Sequence, residues 1–132
     1  MAGYSGTPFW KKLGLKDGMR TARIDAPDEY AELLGEASAC HWIDLSKGID
    51  FVHIFATERA RLETAVAEAR GLIQPAGMIW TSWPKKASKV PTDITEDVIR
   101  EIALPIGLVD VKVCAVSDVW SGLKLVIRKE LR

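Results

Sequence analysis

The segment of this sequence densest in reactive groups is Trp83-Pro84-Lys85-Lys86-Ala87-Ser88-Lys89. Ammonium groups on Lys85, Lys86 and Lys89, with the Ser88 hydroxyl among them, can hold a phosphate or carboxylate through charge-assisted hydrogen bonds. Trp83 offers an aromatic face to a planar ring or a cation. Thr92 and Asp93 stand at the far end of the same stretch, while Asp25 and Thr57 follow other apolar runs. The expectation is an anionic small-molecule site built from Trp83, Lys85, Lys86, Ser88, Lys89, Thr92, Asp25 and Thr57. The competing reading is a solvated lysine loop with Trp83 packed inside.

Other reactive side chains give less. His53 lies within the apolar run Phe51-Val52-His53-Ile54-Phe55, which suits a hydrogen-bonded core imidazole better than a catalytic base. Cys40 and His41 are adjacent, so in a strand they point to opposite faces. With only His53 and Cys114 besides, no zinc spacing exists and no metal is expected. Cys114 reads as a small core residue. No nucleophile elbow, phosphate loop, metalloprotease motif or obvious acid–base pair is present, so the sequence assigns no reaction. Trp120, within Val119-Trp120-Ser121-Gly122, suits a protein interface if exposed, and otherwise folds back onto the domain.

The elements that must position these residues alternate. Residues 19–24, 41–45, 51–55, 78–83, 109–116 and 123–128 read as strands. Pro27 suits a first helical position, with Asp28 and Glu29 opposing the positive end of the helix dipole and Gly35 as its stop. Thr57 reads as the cap of a helix carrying Leu62, Ala65, Val66, Ala69 and Ile73 at helical spacing. Pro75-Ala76-Gly77 reads as a turn and residues 84–94 as a loop. Thr95 reads as the cap of a further helix that Pro105 and Gly107 end. Strands alternating with helices imply a mostly parallel sheet with right-handed crossovers. The last strands have no helix between them, so one of them runs antiparallel.

Acidic and basic residues balance at 18 each, which argues against a uniformly basic nucleic-acid binder. Bases gather at the start (Lys11, Lys12, Lys16, Arg20, Arg23), acids in the next stretch, and bases again at the end. Such asymmetry can steer a ligand or a second subunit. No apolar run reaches membrane-spanning length and the N-terminus has no apolar signal core, so a cytoplasmic protein with free thiols is expected. The length suits one domain over 1–132, with residues 1–18 as a basic arm or lead-in and 19–132 as the core.

A helix, the turn Ile73-Gln74-Pro75-Ala76-Gly77, a strand, a loop, a helix and a closing hairpin resemble the C-terminal half of class I S-adenosylmethionine-dependent methyltransferases, over residues about 50–129. In that family the last strand inserts antiparallel beside the second-to-last. The resemblance implies a Rossmann-like three-layer αβα fold, its six-stranded sheet ordered 2-1-3-4-6-5 with strand 6 reversed. It also implies that Asp44, at the end of the second strand, matches the family's acidic ribose ligand, although a lone Asp there also serves as a turn residue.

The family's cofactor turn is rich in glycine, whereas here it reads Asp25-Ala26-Pro27-Asp28-Glu29. Its carboxylates would repel a phosphate or a methionine carboxylate. No cofactor is therefore expected. The whole chain also resembles a small bacterial family of unknown function, through Tyr4-Ser5-Gly6-Thr7-Pro8, Lys11-Lys12-Leu13-Gly14, Ser82-Trp83-Pro84-Lys85-Lys86, Ser88-Lys89-Val90-Pro91-Thr92-Asp93 and Val119-Trp120-Ser121-Gly122-Leu123-Lys124. The functional expectations are an anionic small-molecule binder working at residues 83–93, or a non-catalytic, self-associating interaction module, as a homodimer, on a methyltransferase-like scaffold.

Overall fold

The computed structural model describes residues 9–34 and 41–132. In chain order its main elements are α1 (Phe9–Lys12), β1 (Arg20–Ile24), α2 (Tyr30–Leu34), β2 (His41–Trp42), β3 (Ile49–Phe55), α3 (Arg59–Leu72), β4 (Ile73–Pro84), α4 (Glu96–Ala103), β5 (Leu108–Ala115) and β6 (Trp120–Ile127). One six-stranded sheet runs β2-β1-β3-β4-β6-β5. The β1–β2, β1–β3 and β3–β4 pairs are parallel; β6 is antiparallel to both β4 and β5. The order is the one the methyltransferase resemblance implies, and the single reversed strand is the one the closing hairpin requires.

The sheet separates two apolar layers. On one face Leu62, Ala65, Val66 and Ala69 of α3, with Ile99, Ile102 and Ala103 of α4, cover Val52, Ile54, Ile79, Leu123 and Leu125. On the other, Leu13 and Leu15 after α1, with Tyr30 and Leu34 of α2, cover Phe51, Phe55, Met78 and Trp80. Alternate residues of β3 enter opposite layers, and all of β3 except Asp50 is buried. Burial on both faces explains why it reads as a continuous apolar run rather than an alternating one. The Trp80 indole N–H donates to the Leu13 carbonyl at 2.8 Å, fastening the segment after α1 to the centre of the sheet.

Several local expectations are corrected. Pro27 opens a turn, its carbonyl accepting the Tyr30 N–H, and the helix starts only at Tyr30. Gly35, its expected stop, lies outside the described residues, as do Cys40 and Tyr4 to Pro8. Strand β2 is shorter than expected, covering His41–Trp42. Pro75, Ala76 and Gly77 lie inside β4, where the β3–β4 register shifts between Ile49 and Phe51 to absorb them. Thr57 does not cap α3: Glu58 holds the cap position without a side-chain bond, and Asp93 Oδ1 accepts the Arg59 N–H at 2.6 Å instead. Thr95 does cap α4, accepting the Val98 N–H at 3.2 Å. Trp120 begins β6, so the hairpin loop expected over residues 117–122 is shorter, with Trp120, Ser121 and Gly122 in the strand. Cys114 is half-buried rather than enclosed, because β5 is the outer strand. Burial pushes its thiol pKa up, while Lys112 and Lys12 pull it down. No described helix is long and apolar enough to cross a membrane.

Candidate functional site at the carboxyl edge of the sheet

In open α/β sheets, ligands bind beyond the carboxyl ends of the parallel strands, chiefly where the connections diverge. Here that divergence lies between β1 and β3, because β1 leads outward to β2 and β3 leads the other way to β4. The crevice at this point is small, about 230 Å³, and lined by Asp25, Phe55, Ala56, Thr57, Glu58, Arg61 and Trp120. Asp25 takes a left-handed backbone conformation (φ 54°) that Asp tolerates better than most residues. Its carboxylate accepts from Arg61 Nε at 2.9 Å. The one guanidinium lining this crevice is thus held by a carboxylate that lines it too.

S-adenosylmethionine does not fit these residues. Small-molecule sites usually enclose about 300–1,000 Å³. The crevice falls below that range, Asp25 and Glu58 would repel a methionine carboxylate, and no glycine lets the ligand approach the β1 turn. Asp44 lines a different cavity, of about 560 Å³, with Arg23, Trp42, Ile43 and Leu45. There the Arg23 guanidinium carbon sits 5.2 Å from the Trp42 ring centroid.

Directly beneath the crevice is a closed polar chain. His53 Nδ1 is 2.9 Å from the Tyr30 hydroxyl, and His53 Nε2 is 2.7 Å from Ser82 Oγ. All three residues are buried, and Phe55 stacks on the imidazole with centroids 4.3 Å apart. Burial lowers the His53 pKa to about 3, so the ring is neutral near pH 7. Ser82 and His53 make a hydrogen-bonded pair, but the Phe55 ring separates them from the crevice. This is the core imidazole expected from the apolar run. Trp120 packs edge-on against Phe55, centroids 5.1 Å apart, and is half-buried.

The end of β4 opens a third space, about 370 Å³, lined by Trp83, Pro84, Lys86, Thr92, Ile94, Thr95 and Glu96. Pro84 is paired with Trp120 in the sheet, and the Lys85 N–H donates to the Val119 carbonyl at 2.7 Å, so the start of the loop is firmly placed. A short 3-10 turn, Lys86–Ser88, follows. The Ser88 hydroxyl donates to the Lys85 carbonyl at 2.6 Å and accepts from the Val90 N–H. Thr92 donates to the Thr57 carbonyl at 2.6 Å and accepts from the Ile94 N–H. Both hydroxyls therefore shape the loop.

The groups left with donor capacity at this cavity are different. Trp83 is 8% exposed and makes no side-chain hydrogen bond among the described residues. Its indole N–H is therefore a donor left unused among the described residues. Lys86 is exposed, and the Thr95 hydroxyl, having accepted from Val98, can still donate. Of the residues expected at an anion site, the structure brings Trp83, Lys86 and Thr92 to one cavity. Asp25 and Thr57 go to the neighbouring crevice, and Lys85, Ser88 and Lys89 line neither. Pro84, Ile94, Thr95 and Glu96 were not singled out as site residues. Thr95 carried a visible signal as a helix cap. The place of Glu96 on the same cavity, its carboxylate accepting from Arg100 at 3.1 Å, carried none.

Comparison with solved structures agrees with the topology. A SAM-dependent methyltransferase from Aquifex aeolicus aligns with TM-score 0.61 and 15% identity, over 89% of this chain and 86% of that one. A putative type 11 methyltransferase from Sulfolobus solfataricus aligns with TM-score 0.64 and 11% identity, over 90% and 89%. Magnesium protoporphyrin IX methyltransferase from Synechocystis, solved with bound SAM, gives 0.58 and 12% over 89% and 73%. The chain has the Rossmann-like fold of SAM-dependent methyltransferases. At these identities the likeness is one of fold. No protein-family model and no curated protein matches the sequence.

Proposed function

We propose that this protein binds an anionic small molecule at the carboxyl end of β4 on a methyltransferase-like scaffold. The observation that carries this reading is that Trp83, whose indole N–H has no hydrogen-bond partner among the described residues, lines a cavity of about 370 Å³ with Lys86 and Thr95. Trp83, Pro84 and Ile94 supply an apolar wall for the body of the ligand. Lys86 and the two donors meet its carboxylate or phosphate, and Lys85 and Lys89 add positive potential from the loop. Glu96 sets a limit, disfavouring ligands that carry negative charge at both ends. One solved neighbour of this fold was solved with bound SAM, whereas the Asp25 turn here argues for a ligand other than SAM. Resemblance to a small bacterial family of unknown function adds no reaction.

Calorimetric titration with a panel of phosphorylated and carboxylated metabolites tests the proposal. Trp83→Phe, which keeps the ring and removes the donor, and Lys86→Ala should each weaken the binding of any hit. Unchanged affinity in both variants removes this cavity from the site.

A second reading, a non-catalytic self-associating module, is favoured by β5. This outer strand leaves Val111 53% and Val113 51% exposed. An open apolar edge recruits another strand. Sedimentation velocity should then show a dimer that Val113→Lys dissociates, and a wild-type protein that stays monomeric at every concentration contradicts it.

A further inference from the structure

A separate cluster of positive charge lies on the α1 side of the sheet, away from the cavity beyond β4. Lys112 of β5 stands directly opposite Lys124 of β6 in the antiparallel register. Like charges facing each other across a strand pair destabilise a sheet. The segment after α1 crosses the same place. The Lys112 ammonium donates to the Lys12 carbonyl at 3.2 Å, and Lys124 Nζ comes within 4.0 Å of where a Cβ on Gly14 would lie.

Among the described residues no carboxylate forms an ion pair with Lys12, Lys112 or Lys124. The ion pairs there belong to Arg59, Arg61 and Arg100, on the α3 and α4 side. Lys124 is partly buried and makes no hydrogen bond or ion pair among the described residues. Burial lowers its pKa first, and the charges of Lys112 and Lys16 lower it further, with no carboxylate acting against them. Lys112 and Lys12 also bear on the Cys114 thiol. A half-buried ammonium held opposite another is costly unless an anion completes it.

We propose that the α1 face of β5 and β6 is an oxyanion site, with Lys112 and Lys124 gripping a phosphate group and Lys12 at its margin. Phosphate fits better than carboxylate. It carries up to two negative charges near neutral pH and several acceptor oxygens, enough to meet both ammonium groups. The bond to the Lys12 carbonyl fixes the direction of Lys112, and the strand register fixes the base of Lys124. The site is independent of the cavity beyond β4.

Titrating the whole chain with inorganic phosphate at constant ionic strength tests this, using wild type, Lys112→Gln, Lys124→Gln and a control, Lys47→Ala, at an exposed lysine outside both sites. Each Gln variant should weaken phosphate binding about tenfold, the loss of one charge-assisted hydrogen bond, and the control should bind as wild type. Without phosphate, Lys124→Gln should melt no lower than wild type, because a repulsion is removed. Equal phosphate affinity in wild type and both Gln variants overturns the proposal, as does absence of binding to wild type. A lower melting temperature for Lys124→Gln overturns it as well. Loss in a separate Lys85→Ala, Lys89→Ala variant, with wild-type affinity in both Gln variants, would instead assign the phosphate to residues 85–89.

Discussion

The Asp93 carboxylate accepts the Arg59 backbone N–H at 2.6 Å, so the far end of the loop after β4 closes the first turn of α3. Helix N-termini leave N–H groups unpaired, and removing an acidic cap costs about 1 kcal/mol. Asp93→Ala should therefore lower unfolding free energy by about 1 kcal/mol in urea, with Asp93→Asn recovering most of it. Because Thr92 also bonds the Thr57 carbonyl, the same change should loosen the loop and weaken ligand binding at the Trp83 cavity. Full stability in Asp93→Ala would show that α3 is capped by another group.

His53 makes stability depend on acidity. In the unfolded chain the imidazole has its ordinary pKa of 6.5, and burial lowers it to about 3 in the folded protein. Between these values the unfolded state binds the extra proton. The contribution is complete above 6.5 and is lost as pH falls toward 3, by about 1.4 kcal/mol per pH unit over that window. Denaturant midpoints measured from about pH 7 down to about pH 4 should show this slope. His53→Gln, which can still bond Tyr30 and Ser82 but does not titrate, should flatten it. An equal slope in the variant would place the acid sensitivity elsewhere.

Trp80 ties α1 to the sheet through its bond to the Leu13 carbonyl, and the ring itself is fully enclosed. Trp80→Phe removes the donor and leaves a buried carbonyl short of a partner, at a cost of about 1–3 kcal/mol. Hydrogen exchange should quicken at the amides of Leu13 and Leu15, while those of α3 keep their protection. A uniform loss of protection would mean that α1 and the core unfold as one unit.

The sheet was legible because its strands differ in kind. The run from Phe51 to Phe55 is apolar throughout, as a strand covered on both faces must be, and the missing helix before Leu123 forces an antiparallel end. What escaped depends on residues far apart in sequence. Thr57 has the chemistry of a cap and stands where one is needed, yet Asp93 takes that role because the loop after β4 passes over α3. Val111, Val113 and Cys114 look like core residues by type, and only the place of β5 at the rim exposes them. Trp83 was readable as either packed or ligand-facing. Its ring lies in the core, and it also lines the cavity beyond β4.

The most direct test follows the indole N–H resonance of Trp83, assigned by its disappearance in Trp83→Phe, while a phosphorylated or carboxylated ligand from the panel is added. The account predicts a progressive, saturable downfield shift of that resonance, with the other indole signals moving less. A bound ligand that leaves the Trp83 signal in place while shifting the signals of Trp42 or Trp120 contradicts it.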